Sequence, residues 1–253
     1  MLEVHQFPCL SDNYGFLVHD PVSEETACID TPDADRYLRE AAERGWQITQ
    51  IWNTHWHPDH AGGNEAIKQA TGCTVVAPAG DAAKIACVDR EVKHGECVEL
   101  GDWDAFVIDV GGHTMGHIAY DIPKARVAFV GDALFALGCG RMFEGTPRQF
   151  WESLKRLRAL PGETVLYCAH EYTASNARFA LHADPDNAEL REYAAEVERR
   201  RAAGLPTVPM VLHREIATNP FLRADKREIQ KRWDGNDPVA TFAALRAAKD
   251  AFR

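Results

Sequence analysis

Along residues 1–170, short apolar runs alternate with clusters of turn residues, a pattern that predicts strands interleaved with helices. Residues 16–19 and 26–29 read as strands, and Asp20-Pro21 between them predicts a hairpin. Residues 33–44 carry helical spacing and stop at Gly45, a residue suited to the left-handed position that ends a helix. Residues 48–53 form a short apolar strand that ends where a group of histidines begins. Gly62-Gly63-Asn64 opens a helix to residue 70, and 74–77 reads as another strand. From residue 97 the chain is strand-rich, with runs at 97–100, 105–110, 117–121 and 126–130 punctuated by Gly101-Asp102 and Ile122-Pro123. A helix over 148–160 precedes a strand over 164–168.

After His170 the pattern changes. Residues 172–204 read as two helices broken at Asp184-Pro185-Asp186, 204–209 as a linker-like break, and 225–233 and 238–250 as two further helices. The expected organisation is a mixed α/β domain over 1–171, carrying the chemistry, followed by a helical domain over 172–253. No solenoid repeat or low-complexity tract is visible.

At 253 residues the chain is long enough to bury a sizeable core. A formal net charge of −10 argues against nucleic acid or an anionic membrane as a partner, because both require a basic footprint. The charge is uneven: residues 191–253 hold thirteen Lys/Arg against nine Asp/Glu, so a basic end follows an acidic body. Seven cysteines are scattered without a C-x-x-C pair, which fits small buried hydrophobes in a reducing compartment better than a disulfide framework. No run of 18 apolar residues and no leader-like start is present, so a cytoplasmic protein is expected.

The most specific chemical signal is Thr54-His55-Trp56-His57-Pro58-Asp59-His60. On an extended segment, side chains two apart point the same way, so His55 and His57 can reach one metal ion together. Pro58 cannot continue a strand ladder, and a turn there can bring Asp59 and His60 to a second ion. Imidazole and carboxylate are ordinary ligands for zinc and related divalent ions. Three further apolar runs lead to a candidate ligand each, at His113, Asp132 and His170. Ligands at strand ends sit on a rigid scaffold, as a preorganised site requires.

The motifs T-H-W-H-P-D-H, G-H-T-M-G-H, G-D-A-L-F and A-H-E-Y-T, in this order, resemble the metallo-β-lactamase superfamily. Gly138-Cys139-Gly140-Arg141, Asn219-Pro220-Phe221-Leu222-Arg223 and Arg246-Ala247-Ala248-Lys249-Asp250 resemble its glyoxalase II branch, the hydroxyacylglutathione hydrolases. The resemblance implies an α/β, four-layer αββα fold with a C-terminal α-helical domain. It implies two divalent metal ions per chain, zinc in the first instance with iron or manganese as alternatives. His55, His57 and His113 would hold the first ion, Asp59, His60 and His170 the second, and Asp132 would bridge them. His117 matches no ligand position and is expected to be structural, as is Cys139.

The implied reaction is hydrolysis of a glutathione thioester, S-D-lactoylglutathione to D-lactate and glutathione, the second step of methylglyoxal degradation. Asp59 and Asp132 would act as catalytic carboxylates as well as ligands. Arg246 and Lys249, three apart on one helix face, would bind the glycine carboxylate of glutathione, with Tyr172 beside them. Arg141 and Phe143 stand where the branch often carries Lys and Tyr; Arg still pairs with a carboxylate, whereas Phe lacks the phenol hydroxyl. A monomer is expected. A rival on the same fold, resembling the mononuclear-iron persulfide dioxygenases, lacks a complete second metal site, whereas this chain keeps Asp59, His60 and His170. A lactonase would share the site, a nuclease conflicts with the acidic balance, and a non-catalytic metal binder conflicts with the intact ligand set.

Overall fold

The computed structural model describes residues 1–233 and 235–252. The chain falls into two units, Met1–Asp109 with Thr114–Gly131, and Val110–His113 with the chain from Asp132 onward.

In the first unit, β1 (Glu3–Cys9), β2 (Asn13–Asp20), β3 (Glu25–Ile29), β4 (Gln47–Trp52), β5 (Thr74–Pro78) and β6 (Arg90–Val92) form a six-stranded sheet in chain order. The expected hairpin is β2–β3, antiparallel from Phe16↔Ile29 to Asp20↔Glu25. From β3 to β6 the pairing is parallel; a 3₁₀ turn, Ala82–Lys84, lies in the β5–β6 crossover, and α-helices carry the first two. These are α1 (Ala34–Arg44), then the single turn α2 (Pro58–Ala61) and α3 (Asn64–Thr71). The Asp33 carboxylate accepts the Arg36 N–H at 3.1 Å and starts α1, and Gly45 at φ 69° ends it. Tyr37, Ala41 and Ile67 pack from these helices onto Leu17, Cys28, Ile51 and Val75. The buried Tyr37 hydroxyl accepts the Phe16 N–H at 2.9 Å and donates to Ile29 O at 2.8 Å, so no polar group is stranded there.

Four further strands, β7 (Cys97–Leu100), β8 (Trp103–Asp109), β9 (Ile118–Ile122) and β10 (Val127–Gly131), follow one another as an antiparallel meander. The meander faces the first sheet through ring contacts, Phe129 on Phe16 at 5.6 Å and Tyr120 on Trp52 at 5.3 Å. Helices, sheet and meander thus form an α, β, β stack within this unit.

The second unit opens on the tight hairpin β11 (Leu134–Phe135) and β12 (Gly138–Cys139). It continues with α4 (Pro147–Arg158) and β13 (Val165–Cys168), which pairs antiparallel with β14 (Met210–Val211). The remaining helices are α5 (Thr173–Ala183), α6 (Ala188–Ala202), α7 (Leu212–Thr218), α8 (Arg227–Arg232) and α9 (Pro238–Ala251). Phe242 of α9 packs edge-on to Phe150 of α4 at 5.6 Å and to Phe221 at 6.1 Å, so the Asn219-Pro220-Phe221-Leu222-Arg223 motif supplies core.

Six elements lie outside the sequence expectation: β1, β6, β11, β12, β14 and α7. β1 is an edge strand with five of its seven residues exposed or half-exposed, and β6, β11, β12 and β14 are too short for a period to register. The break at 204–209 is not a free linker, since the Thr207 N–H and hydroxyl both donate to the Glu171 carboxylate, at 2.8 and 2.6 Å. Five of the seven cysteines are buried, and all seven are free thiols. No helix among the described residues is long and apolar enough to cross a membrane.

Candidate active site

The first unit places four predicted ligands on the segment that leaves β4. His55 Nε2 lies 3.0 Å from His57 Nδ1. The His55 Nδ1 faces Thr54 Oγ1 at 3.0 Å, and that hydroxyl in turn lies 2.8 Å from Asp30 Oδ2. The same Asp30 oxygen is 2.9 Å from His60 Nδ1, and Asp30 Oδ1 accepts the Thr54 N–H at 2.7 Å. A carboxylate can only accept, so His60 carries its proton on Nδ1, and the Thr54 hydroxyl, donating to Asp30, accepts from His55 Nδ1. Both rings thereby carry the proton on Nδ1, which puts the lone pair, the kind that a metal ion needs, on Nε2.

Pro58 does turn the chain, as the first residue of α2. Asp59 Oδ2 then comes within 3.6 Å of His60 Nε2 and accepts from Asn13 Nδ2 at 3.2 Å. His117 stacks on His55 with centroids 4.5 Å apart and is fully buried, in keeping with a structural part. Gly131, at φ 48°, has no room for a side chain: a Cβ there would lie 2.5 Å from Thr54 Oγ1 and 2.8 Å from the His117 ring.

The second unit holds the other three predicted ligands. Asp132 follows β10 directly, and its two oxygens diverge: Oδ2 lies 3.4 Å from His113 Nε2 and Oδ1 3.3 Å from His170 Nε2. Direct charge-assisted N–H···O bonds run at about 2.7–2.9 Å. Two donors on one tetrahedral zinc, each at about 2.0–2.1 Å, stand about 3.3 Å apart, which these spacings match. The His113 Nδ1 donates to Arg141 O at 2.8 Å, which again puts the ring's lone pair on Nε2. His170 stacks flat on Tyr172, 4.7 Å between centroids with 2° between planes, and Phe135 stands edge-on to both rings.

Beside Asp132 and His113 the second unit encloses a cavity of about 520 Å³. All five residues expected to bind substrate line it: Arg141, Phe143, Tyr172, Arg246 and Lys249. They differ in what they offer. Arg246 is buried and donates through Nη1 to Cys139 O at 2.8 Å and Gly140 O at 3.3 Å, and through Nη2 to Asp250 at 2.9 Å. Among the described residues, Lys249 Nζ donates to Ser175, to its O at 3.2 Å and its Oγ at 3.1 Å. Burial pushes the Lys249 ammonium down to about 8, helped by the like charges of Arg246, Arg178 and Arg141. Burial likewise pushes the Cys139 thiol up to about 11, so it stays protonated and is no nucleophile.

Asp30, Asn13 and Ser175 are the contributors that the sequence reading misses. Asp30 had a usable signal, since it stands at the end of a strand as Asp132 does. Asn13 and Ser175 carry none.

The metallo-beta-lactamase superfamily matches residues 20–170, and the hydroxyacylglutathione hydrolase C-terminus matches residues 171–252. Fold and donor set therefore define a metallo-β-lactamase-fold protein that binds divalent metal. A hydroxyacylglutathione hydrolase of Erythrobacter litoralis is 64% identical over 252 residues, covering 100% of both chains. One of Hyphomonas neptunium is 60% identical over 253 residues, covering 100% of this chain and 99% of its own. The chain belongs to the hydroxyacylglutathione hydrolase family. Among solved structures, ETHE1 from Myxococcus xanthus matches with TM-score 0.68 and 27% identity, over 99% of this chain and 100% of its own. TTHA1623 in a di-iron-bound form matches with TM-score 0.57 and 25% identity, over 66% of this chain and 91% of its own.

Proposed function

We propose that the protein is a binuclear metal-dependent thioester hydrolase. It converts S-(2-hydroxyacyl)glutathione, with S-D-lactoylglutathione as the main substrate, to the 2-hydroxy acid and glutathione, the second step of methylglyoxal degradation. The observation that carries this reading is the cavity in which His113 and Asp132 share walls with Arg141, Tyr172 and Lys249, on a chain with full-length relatives named hydroxyacylglutathione hydrolase. Residues 1–171 supply the catalytic domain and 172–253 the helical substrate-binding domain.

His55, His57 and His113 would hold one ion and Asp59, His60 and His170 the other, with Asp132 as a ligand shared by both. The divergent oxygens of Asp132 support two ions, as does the structural relative solved with two irons; zinc is the first choice, with iron or manganese as alternatives. When bound, such a pair lowers the pKa of a shared water and polarises the thioester carbonyl. Asp59, partly exposed and held by Asn13, is placed to accept a hydrogen bond from the attacking water. The leaving thiolate is a good leaving group, so no protein acid need protonate it. Lys249 and Arg141 meet the glycine carboxylate of glutathione, Tyr172 lies along the tripeptide, and Phe143 offers an apolar wall. Arg246 shapes the cavity floor through its bonds to Cys139 O and Gly140 O.

The test is hydrolysis of S-D-lactoylglutathione by metal-loaded protein, with metal counted per chain. Turnover with two ions per chain is expected. One iron per chain with oxygen uptake, or preferred hydrolysis of a lactone, would overturn the reading.

A further inference from the structure

The β11–β12 hairpin connects two parts of the ligand set. It begins two residues after Asp132, and it ends one residue before Gly140, whose neighbour Arg141 accepts the His113 Nδ1 proton. Its legs close tightly: a Cβ on Gly140 would collide with Asp132 O. The turn itself is an unfavourable one, since Leu137 sits at φ 57°, a left-handed conformation that non-glycine residues adopt at a cost. A turn of this kind holds its shape only where the surroundings impose it.

Helical residues impose it through the hairpin's backbone. Glu215 Oε2 accepts the Leu137 N–H at 2.8 Å. Asn219 Nδ2 reaches Phe135 O at 3.2 Å and Gly138 O at 3.0 Å, and Asn176 Nδ2 reaches Ala136 O at 3.1 Å. Glu215 is itself tied to Asn219 Nδ2 at 3.1 Å and to the Tyr193 hydroxyl at 3.0 Å, and it is wholly buried. Burial pushes its carboxyl up to about 7. A buried carboxyl is a costly way to fill space, and an apolar side chain of similar volume would strand the Leu137 N–H and the Tyr193 hydroxyl.

We propose that Glu215 and Asn219 are positioning residues for the metal ligands, acting through the β11–β12 hairpin on Asp132 and His113. The helical part of the chain then does more than dock substrate, because it holds the ligand scaffold in register. This rests on the assignment of Asp132 and His113 as ligands. It also gives a task to the Asn219-Pro220-Phe221-Leu222-Arg223 motif, in which Asn219 grips the hairpin and Phe221 packs against Phe179 and Phe242.

The experiment compares full-length wild type with Glu215→Ala, Glu215→Gln, Asn219→Ala and Tyr193→Phe, each loaded with Zn²⁺. Metal release to a chelator, kcat, KM and Tm are measured. For Glu215→Ala and Asn219→Ala the expected result is about tenfold faster metal release and a comparable fall in kcat, with KM within about twofold. Glu215→Gln keeps an oxygen for the Leu137 N–H and should recover most of both losses. If Glu215→Ala does not fold, Tyr193→Phe removes one hydroxyl and should shift metal release in the same direction by less. Folded variants with a lower Tm but unchanged metal release and kcat would overturn the positioning part and leave the ligand assignment standing. A wild type that binds no metal would overturn both.

Discussion

Asp30 Oδ2 accepts the Nδ1 proton of His60 at 2.9 Å, while the other end of the carboxylate binds the Thr54 backbone. One acid therefore sets the tautomer of His60 and the path of the segment that carries the candidate ligands. Asp30→Asn keeps the shape but replaces one accepting oxygen by a donor, which opposes the His60 proton. Metal affinity should fall by about 10–100-fold, read by competition with a chelator. An affinity equal to wild type would show that His60 is oriented by something else.

His57 meets His55 at 3.0 Å, at the start of α2. His57→Ala should lose at least part of the bound metal and nearly all thioester turnover, with the fold intact by circular dichroism. Full metal content with undiminished turnover would remove His57 from the ligand set.

Lys249 lines the cavity with its ammonium on Ser175 O and Oγ. Lys249→Ala should raise KM for the anionic thioester and leave kcat nearly unchanged; the reverse pattern would contradict a docking role. With its ammonium pushed down to about 8, Lys249 is charged below that pH and neutral above it. KM should therefore rise between pH 7 and 9 and level off near the value of Lys249→Ala. Lys249→Arg stays charged across this range and should keep KM flat.

Cys139 lines the same cavity, but its buried thiol, pushed up to about 11, is protonated at neutral pH. Cys139→Ala should retain turnover within about threefold, and the native thiol should react slowly with iodoacetamide. Rapid alkylation that abolishes activity would reopen the case for a thiol in the chemistry.

By itself, the sequence determined the features that are local. The order His55-x-His57-x-Asp59-His60 gathers four candidate ligands because alternation on an extended segment and a proline-initiated turn are properties of neighbouring residues. The same holds for the β2–β3 hairpin, the Asp33 and Gly45 caps of α1, and the apolar strands that lead to Asp132 and His170. Periodicity is weak where an element spans two or three residues, so β6, β11, β12 and β14 were not legible. Only the tertiary structure decided who the partners are. Asp30 reaches Thr54 across 24 positions and His60 across 30. Glu215 reaches Leu137 across 78, and Arg246 reaches Cys139 O across 107. Arg246 and Lys249 look equivalent on one helix face, yet one is bound to the carbonyls of Cys139 and Gly140 and the other to Ser175. Hydrophobic pattern specifies which faces are buried; it does not specify which distant carbonyl or carboxylate each buried donor will meet, because that depends on how the folded chain aligns segments far apart in sequence.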